Sequence, residues 1–277
     1  MLELEHGFRV IDAHVELEPD QARRRPDGAG PEQIERELRQ AGIVRGLVHP
    51  PARATAELRE RNSYLRTNNA IARMAVDRSF DALARVAGGR APGSGPGARL
   101  RNVARSRESW QTSPGDIEQY AYDERFAGFM LDPTADGLPG PAVLERLAEV
   151  DRPVLTYGGR GFPPERIEST LLEYEFPLIV AHFGGYPLDE ELMGAAIELL
   201  GRHERCFLDT SYVRLREYLE RAVMEHPDRV VFGSGAPAAH PNVAAVEILT
   251  LDVPEDAMRK IFAKNLERAF EGAASEL

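Results

Sequence analysis

Along this chain, short apolar runs alternate with longer stretches in which apolar residues recur every three or four positions. The short runs are typical of buried parallel strands, and the longer stretches have the spacing of amphipathic helices. The predicted strands lie at residues 8–12, 44–48, 82–87, 126–131, 153–157, 177–181, 206–209 and 229–233. The predicted helices lie at residues 31–41, 63–76, 141–150, 164–173, 188–200, 213–224, 241–249, 254–262 and 264–270.

The order of these segments predicts the fold class. A helix follows nearly every one of the eight strands, and this alternation predicts a parallel α/β sheet. The count of eight favours a single closed (β/α)8 TIM-type barrel over a doubly wound sheet. The sequence contains no internal repeat and no long linker, so residues 1–277 are expected to form one barrel domain. The polar stretch 18–30 and the glycine-rich stretch 88–97 are predicted to be loops.

Composition restricts the partners of the protein. A hydrophobic content of 43% with 29% charged residues predicts a globular chain. The net charge of −11 makes the protein acidic and argues against nucleic acid or an anionic membrane as a partner. No apolar run approaches the roughly 20 residues of a membrane helix, and no signal peptide begins the chain, so a cytoplasmic protein is expected. The single cysteine, Cys206, is expected to be a buried small residue.

Short polar or glycine-rich segments follow three of the apolar runs. Residues 12–16 read Asp-Ala-His-Val-Glu, His182 precedes two glycines, and residues 233–237 read Gly-Ser-Gly-Ala-Pro. In a barrel the carboxyl ends of the strands form one face, where site residues collect. Residues two apart on a strand point to the same side, so His14 and Glu16 are expected to reach one ion.

These segments resemble the amidohydrolase-related family of metal-dependent hydrolases. In that family the first strand ends in Asp-x-His-x-His and both histidines bind metal, whereas Glu16 takes the second place here. A carboxylate oxygen is an acceptable zinc ligand. His182 stands where the family has a metal-binding or substrate-polarising histidine. The resemblance therefore implies a divalent metal, with zinc as the first choice, held by His14, Glu16 and His182; the alternative is a site without metal.

Several positions depart from the family pattern. Asp132 stands in place of a histidine, and Tyr157 stands in place of a metal-binding histidine. A phenol with a pKa near 10 is a reluctant ligand, so Tyr157 is interpreted as a hydrogen-bonding group of the pocket. Gly235 stands in place of the aspartate that binds metal and acts as general base in the family. Residues 265–270 match the terminal family helix, so this difference is not a misalignment.

The catalytic assignment is correspondingly open. His182 is expected to act in catalysis, and Asp132, His240 or Glu16 is expected to replace the missing base. For each histidine the alternative is a structural, hydrogen-bonded role. The remaining pocket residues are predicted to be Tyr157, His49, Ser211 and Ser234.

Two classes of function fit these residues. The first is an enzyme that hydrolyses an amide, ester or lactone-type bond of a small molecule, or that performs a non-oxidative decarboxylation. The second is an impaired family member that acts as a small-molecule binding or regulatory protein. Retention of His14, Glu16 and His182 favours the enzyme. A small neutral or weakly acidic substrate is expected because no basic cluster follows the strands, and the oligomeric state stays open, a homo-oligomer included.

Overall fold

Eight parallel strands form the centre of the protein and pair in chain order. In the computed structural model, which describes residues 3–18, 30–51, 63–93 and 108–274, each strand pairs with the next from β1 to β8. The ring closes through a parallel bridge between Val15 and Ala236 and a hydrogen bond of 2.9 Å from the Ala13 N–H to the Phe232 carbonyl. The predicted (β/α)8 TIM-type barrel is therefore confirmed.

The bounds of the strands and helices follow the predicted order. The strands are β1 (Val10–Glu16), β2 (Ile43–His49), β3 (Phe80–Val86), β4 (Phe126–Leu131), β5 (Val154–Gly159), β6 (Leu178–Tyr186), β7 (Cys206–Asp209) and β8 (Val230–Val231). The helices are α1 (Pro31–Gln40), α2 (Ser63–Ala75), α3 (Pro114–Tyr122), α4 (Pro141–Val150), α5 (Pro164–Glu168), α6 (Glu190–Arg202), α7 (Arg216–Glu225), α8 (Pro241–Leu249), α9 (Glu255–Arg259) and α10 (Asn265–Ala274). A π-helical turn, Lys260–Lys264, joins α9 to α10.

Alternate strand residues enter two separate hydrophobic layers. Val154 and Val180 pack between the strands and the surrounding helices. Their neighbours Leu155 and Ile179 belong to a second cluster that fills the barrel and that Leu266 of α10 also joins. Because successive strand residues face the two layers in turn, both faces of each strand are buried. This explains why the strands are continuous apolar runs. Within the described ranges, no helix has both the length and the apolar character needed to cross a membrane.

Local differences from the predicted elements have identifiable causes. Helix α3 was not predicted because Pro114 and Gly115 open it, yet a reciprocal capping box begins it. The Ser113 N–H donates to Asp116 Oδ2 at 2.6 Å, and the Asp116 N–H donates to Ser113 Oγ at 3.1 Å. Helix α5 ends at Glu168, five residues before its predicted end at 173. Tight turns follow, in which the N–H groups of residues 170, 171 and 172 donate to the Ile167 carbonyl. The predicted loop at 18–30 lies almost entirely outside the described residues. Of the predicted loop at 88–97, residues 88–93 are described; they form neither a helix nor a strand, and an isolated bridge pairs Arg90 with Leu138.

One charged pair is buried where β3 and β4 end. Arg85 Nε donates to Asp136 Oδ2 at 2.6 Å and Arg85 Nη2 donates to Asp136 Oδ1 at 2.9 Å. The Tyr64 hydroxyl adds a bond of 2.6 Å to Asp136 Oδ1. Both charged side chains are at most 2% exposed. The pair joins β3 to the segment that follows β4 and so fixes one side of the barrel mouth.

Replacing Asp136 by asparagine tests the importance of this pair. The Asp136→Asn variant removes the carboxylate that directly contacts the buried Arg85 guanidinium, so we expect the free energy of unfolding to fall by about 3–5 kcal/mol. The matched control is Asp123→Asn, which breaks the more exposed ion pair with Arg125 and is expected to cost less than about 1 kcal/mol. Urea denaturation of both variants measures the difference. Equal losses in the two variants would contradict this account.

Candidate functional site

Three ionisable side chains converge inside the barrel mouth. His14 comes from β1, His182 from β6 and Asp209 from β7, and one potential ligand atom of each lies within 4.8 Å of the others. All three side chains are buried. His14 Nδ1 donates to Asp209 Oδ2 at 2.8 Å, and the two imidazole rings are 4.9 Å apart. Two imidazoles and a carboxylate are a donor set typical of a divalent transition metal.

Within β6 the backbone leaves the extended conformation at His182 and bends. His182, Phe183 and Gly184 all have positive φ angles, of 57°, 54° and 66°. A Cβ on Gly185 would lie 2.3 Å from Met193, so a larger residue there would collide with α6. The His182 N–H donates to Asp209 Oδ1 at 2.9 Å, which stabilises the bend. The sequence of a histidine, an aromatic residue and two glycines therefore places the His182 ring at the mouth.

Asp209 is the acceptor that holds the cluster together. Burial by itself raises the pKa of Asp209, but His14 and the surrounding donors outweigh burial and hold that pKa at about 2. For His14 burial acts in the opposite direction and lowers the pKa. The carboxylate of Asp209, with further contributions from Glu16 and Asp12, outweighs burial, so the pKa of His14 is raised overall. The pKa of His182 falls to about 3, chiefly because of burial, so His182 is neutral. Sequence reasoning missed Asp209, although its place at the end of an apolar strand was a usable signal.

Ser211 connects both histidines to Asp209. Its hydroxyl oxygen lies 2.9 Å from His182 Nδ1 and 3.1 Å from His14 Nδ1. The same hydroxyl donates to Asp209 Oδ1. Ser211 was predicted as a pocket residue, and the structure places it, fully buried, beneath the pocket and against the two imidazoles.

Tyr157 and Glu16 form the next layer of polar groups. The Tyr157 hydroxyl donates to Glu16 Oε1 at 2.7 Å and lies 3.4 Å from His14 Nε2. Burial first, and the Glu16 carboxylate second, raise the pKa of Tyr157 well above its usual value near 10. The phenol therefore keeps its proton and acts as a hydrogen-bond donor to Glu16.

A cavity of about 520 Å³ opens above these groups. Its polar lining includes Glu16, Asp132 and His182, and its aromatic lining includes Tyr157, Tyr186 and Tyr212. The three tyrosine rings lie 5.0, 5.1 and 5.0 Å from the His182 ring. Asp132 Oδ1 accepts the N–H groups of Thr134 and Ala135, and burial is the main reason that its pKa is raised. The arrangement suits a small planar molecule next to two carboxyl groups and an imidazole.

Three other predicted site residues lie outside the cavity lining. His49 is buried, and burial followed by the nearby His14 lowers its pKa to about 4. Ser234 is buried, and its Oγ accepts the Ala236 N–H at 3.0 Å. His240 is exposed and begins α8, where its Nδ1 accepts the Asn242 N–H at 3.2 Å.

Gly235 has a structural reason to be glycine. Its φ angle is 70°, a conformation that favours glycine. A Cβ at this position would lie 2.8 Å from the Tyr212 ring, and the Tyr212 hydroxyl donates to the Gly235 carbonyl at 2.7 Å. An aspartate introduced at position 235 would therefore be strained and would displace a wall of the cavity.

Comparisons with known proteins agree with this architecture. A family model described as amidohydrolase matches residues 11–271, and a search of curated proteins finds no match. Similar solved structures include 5-carboxyvanillate decarboxylase from Sphingomonas paucimobilis (13% identity, TM-score 0.65, covering 95% of this chain and 99% of that one). Another is a dihydroxybenzoic acid decarboxylase from Polaromonas with bound manganese and 2-nitroresorcinol (15% identity, TM-score 0.66, 95% and 97%). A third is a probable 2-pyrone-4,6-dicarboxylic acid hydrolase from Acinetobacter baumannii with citric acid (16% identity, TM-score 0.61, 95% and 99%).

Asp12, two residues before His14 in β1, gives a prediction about the pH dependence of stability. Its Oδ1 accepts the N–H groups of His14 and Ser234, but its buried Oδ2 has no hydrogen-bond partner among the described residues. Burial raises the pKa of Asp12 from 3.8 to about 6. A carboxyl group whose pKa is raised in the folded state stabilises the fold at pH values below its pKa in the unfolded chain. That stabilisation is lost as the pH rises through the folded-state pKa of about 6. The shift corresponds to about 3 kcal/mol.

We therefore expect Asp12→Asn to gain stability relative to the unmodified protein as the pH rises from about 4 to about 7. The control Asp77→Asn changes an exposed aspartate with a φ angle of 64°, which asparagine also accepts. Urea denaturation at several pH values gives both differences. A difference between Asp12→Asn and the unmodified protein that does not change with pH would contradict the prediction.

Proposed function

The chain belongs to the amidohydrolase family, as its strand ends predicted, and from this premise we propose that it is a divalent-metal-dependent enzyme acting on a small ring-containing carboxylic acid. The reaction we propose is non-oxidative decarboxylation. The observation that supports this most strongly is the buried cluster of His14, His182 and Asp209 beneath a cavity of about 520 Å³. The cavity lies at the strand ends, where barrel enzymes carry their active sites.

The residues present fit a divalent metal. Two buried imidazoles and a nearby carboxylate provide three donors, which leaves coordination positions for a substrate. His14 and His182 would hold the ion together with a carboxylate, either Asp209 or Glu16. Zinc and manganese both accept such donors, and manganese is present in the similar decarboxylase from Polaromonas. When bound, the metal supplies positive charge that stabilises negative charge on the substrate oxygens.

Decarboxylation requires a proton donor more than a base. The bond between the ring carbon and the carboxylate breaks, carbon dioxide leaves, and the electron pair stays on the ring carbon, which then takes a proton. Asp132 lines the cavity, and its raised pKa favours the protonated carboxyl that such a step needs. Tyr186 and Tyr212 offer ring faces against which a planar substrate would pack. Afterwards Asp132 recovers its proton from solvent through the open mouth.

Hydrolysis is the second candidate reaction, and Glu16 is the observation that favours it. Its carboxylate lines the cavity and would serve as a base for an attacking water. One similar structure is a probable 2-pyrone-4,6-dicarboxylic acid hydrolase, a name that gives a ring-containing acid as the substrate of that protein. The proposed decarboxylation differs in that it needs Asp132 as an acid rather than Glu16 as a base.

The test is turnover by protein that has been stripped with a chelator and reloaded with manganese or zinc. We expect carbon dioxide release from a panel of hydroxybenzoic acids only after metal is restored. Asp132→Asn should lower kcat by about 10²–10⁴-fold, because it removes a positioned proton donor. The control Asp123→Asn changes an aspartate that pairs with Arg125 away from the cavity lining and should leave kcat unchanged.

The same panel separates the alternatives. Metal-dependent cleavage of lactones or esters without carbon dioxide release would show that the reaction is hydrolysis and not decarboxylation. Tight binding of the acids without any turnover in the metal-loaded protein would instead identify a binding protein. Full activity of the Asp132→Asn variant would show that Asp132 is not the proton donor.

A further inference from the structure

The carboxylate of Asp209 already accepts four hydrogen bonds inside the protein. Oδ2 accepts the His14 Nδ1–H at 2.8 Å. Oδ1 accepts the backbone N–H groups of His182 and Ser211, each at 2.9 Å, and also the Ser211 hydroxyl. A carboxylate offers about two acceptor positions on each oxygen, so the three donors saturate Oδ1, whereas Oδ2 accepts one hydrogen bond and keeps a second lone pair. Because Oδ2 is bonded to Nδ1 of His14, Asp209 lies away from an ion that the opposite ring nitrogen, Nε2, would bind.

The single proton of the Ser211 hydroxyl determines the protonation of His182. That hydroxyl donates to Asp209 Oδ1, so its oxygen is left as an acceptor only. The same oxygen lies 2.9 Å from His182 Nδ1. Two acceptors facing one another at this distance would be unfavourable, so His182 Nδ1 must carry a proton. His14 Nδ1 must carry one too, because its partner Asp209 only accepts.

Once His14 is neutral, as a metal ligand must be, protons on both Nδ1 atoms leave both Nε2 atoms as acceptors. A neutral imidazole has one N–H and one lone pair, and the partner of the first nitrogen decides which nitrogen keeps the lone pair. His14 Nε2 lies 3.4 Å from the Tyr157 hydroxyl, a group that lines the cavity. His182 itself lines the cavity while its Nδ1 is held by Ser211. His182 therefore faces the cavity directly, whereas His14 does not line it and is connected to it through Tyr157.

We propose that Asp209 and Ser211 are positioning residues, which hold His14 and His182 with their protons on Nδ1 so that the two Nε2 atoms bind the metal. The inference rests on the proposed function and selects among its possible ligands. The third donor is then Glu16 and not Asp209. Glu16 lines the cavity, and its Oε1 shares the Tyr157 hydroxyl, at 2.7 Å, with His14 Nε2.

The first experiment reads the tautomers in the metal-free protein. Long-range nitrogen–proton correlation spectra of protein labelled with 15N-histidine, recorded at alkaline pH, should show both imidazoles protonated on Nδ1. Ser211→Ala should release His182 into a mixture of tautomers, and Ser211→Thr, which keeps a hydroxyl, should restore the single form. The control Thr156→Val removes a buried hydroxyl that has no partner among the described residues, and it should change neither imidazole. Protonation on Nε2 in the unmodified protein would overturn the inference.

The second experiment measures manganese binding by calorimetry. Ser211→Ala should weaken the affinity about 10–100-fold without changing the stoichiometry, as the loss of a group that orients a ligand does. Glu16→Gln should weaken it more than Asp209→Asn. Loss of binding in Asp209→Asn together with intact binding in Glu16→Gln would make Asp209 the ligand and overturn the inference. If the unmodified protein binds no metal, the proposed function fails, while the tautomer spectra still decide the roles of Asp209 and Ser211.

Discussion

The hydrogen bond of 2.8 Å between His14 Nδ1 and Asp209 Oδ2 is the contact on which the site depends. It links the first strand to the seventh across the barrel mouth, and both side chains are almost completely buried. A buried carboxylate is costly unless donors surround it, and Asp209 meets this requirement with His14, His182 and Ser211. The orientations of the two imidazoles follow from this one requirement.

Two glycines after β8 leave room for this contact and for the cavity wall beside it. A Cβ on Gly233 would lie 3.1 Å from Asp209 and 3.1 Å from His14, so a side chain there would push the pair apart. Gly235 provides the turn against which Tyr212 packs. The absence of a side chain at Gly233 therefore makes room for the carboxylate from β7, and its absence at Gly235 makes room for an aromatic wall of the cavity. The replacement of the family aspartate by Gly235 therefore does not by itself show that the chain has lost its function.

The barrel could be predicted from sequence because alternating strand and helix periods persist along the whole chain. The positions of His14, Glu16, Tyr157 and His182 followed from their places at strand ends. The end of β7 could have marked Asp209 as a candidate, but its role could not be predicted, since nothing local shows that His14 and His182 bring donors to it. β1 also extends beyond its predicted end at residue 12, because its pairing with β2 shifts register between Asp12 and Val15 and keeps polar residues in the sheet.

The most direct test of this account is the position of a bound ion. Crystals soaked with manganese, with anomalous diffraction recorded to locate it, show which atoms coordinate the metal. The account predicts one site, on the cavity side, within coordination distance of Nε2 of His14 and Nε2 of His182, with the Asp209 hydrogen bonds intact. An ion bound between Nδ1 of His14 and the Asp209 carboxylate, with the Ser211 hydroxyl displaced, would contradict it.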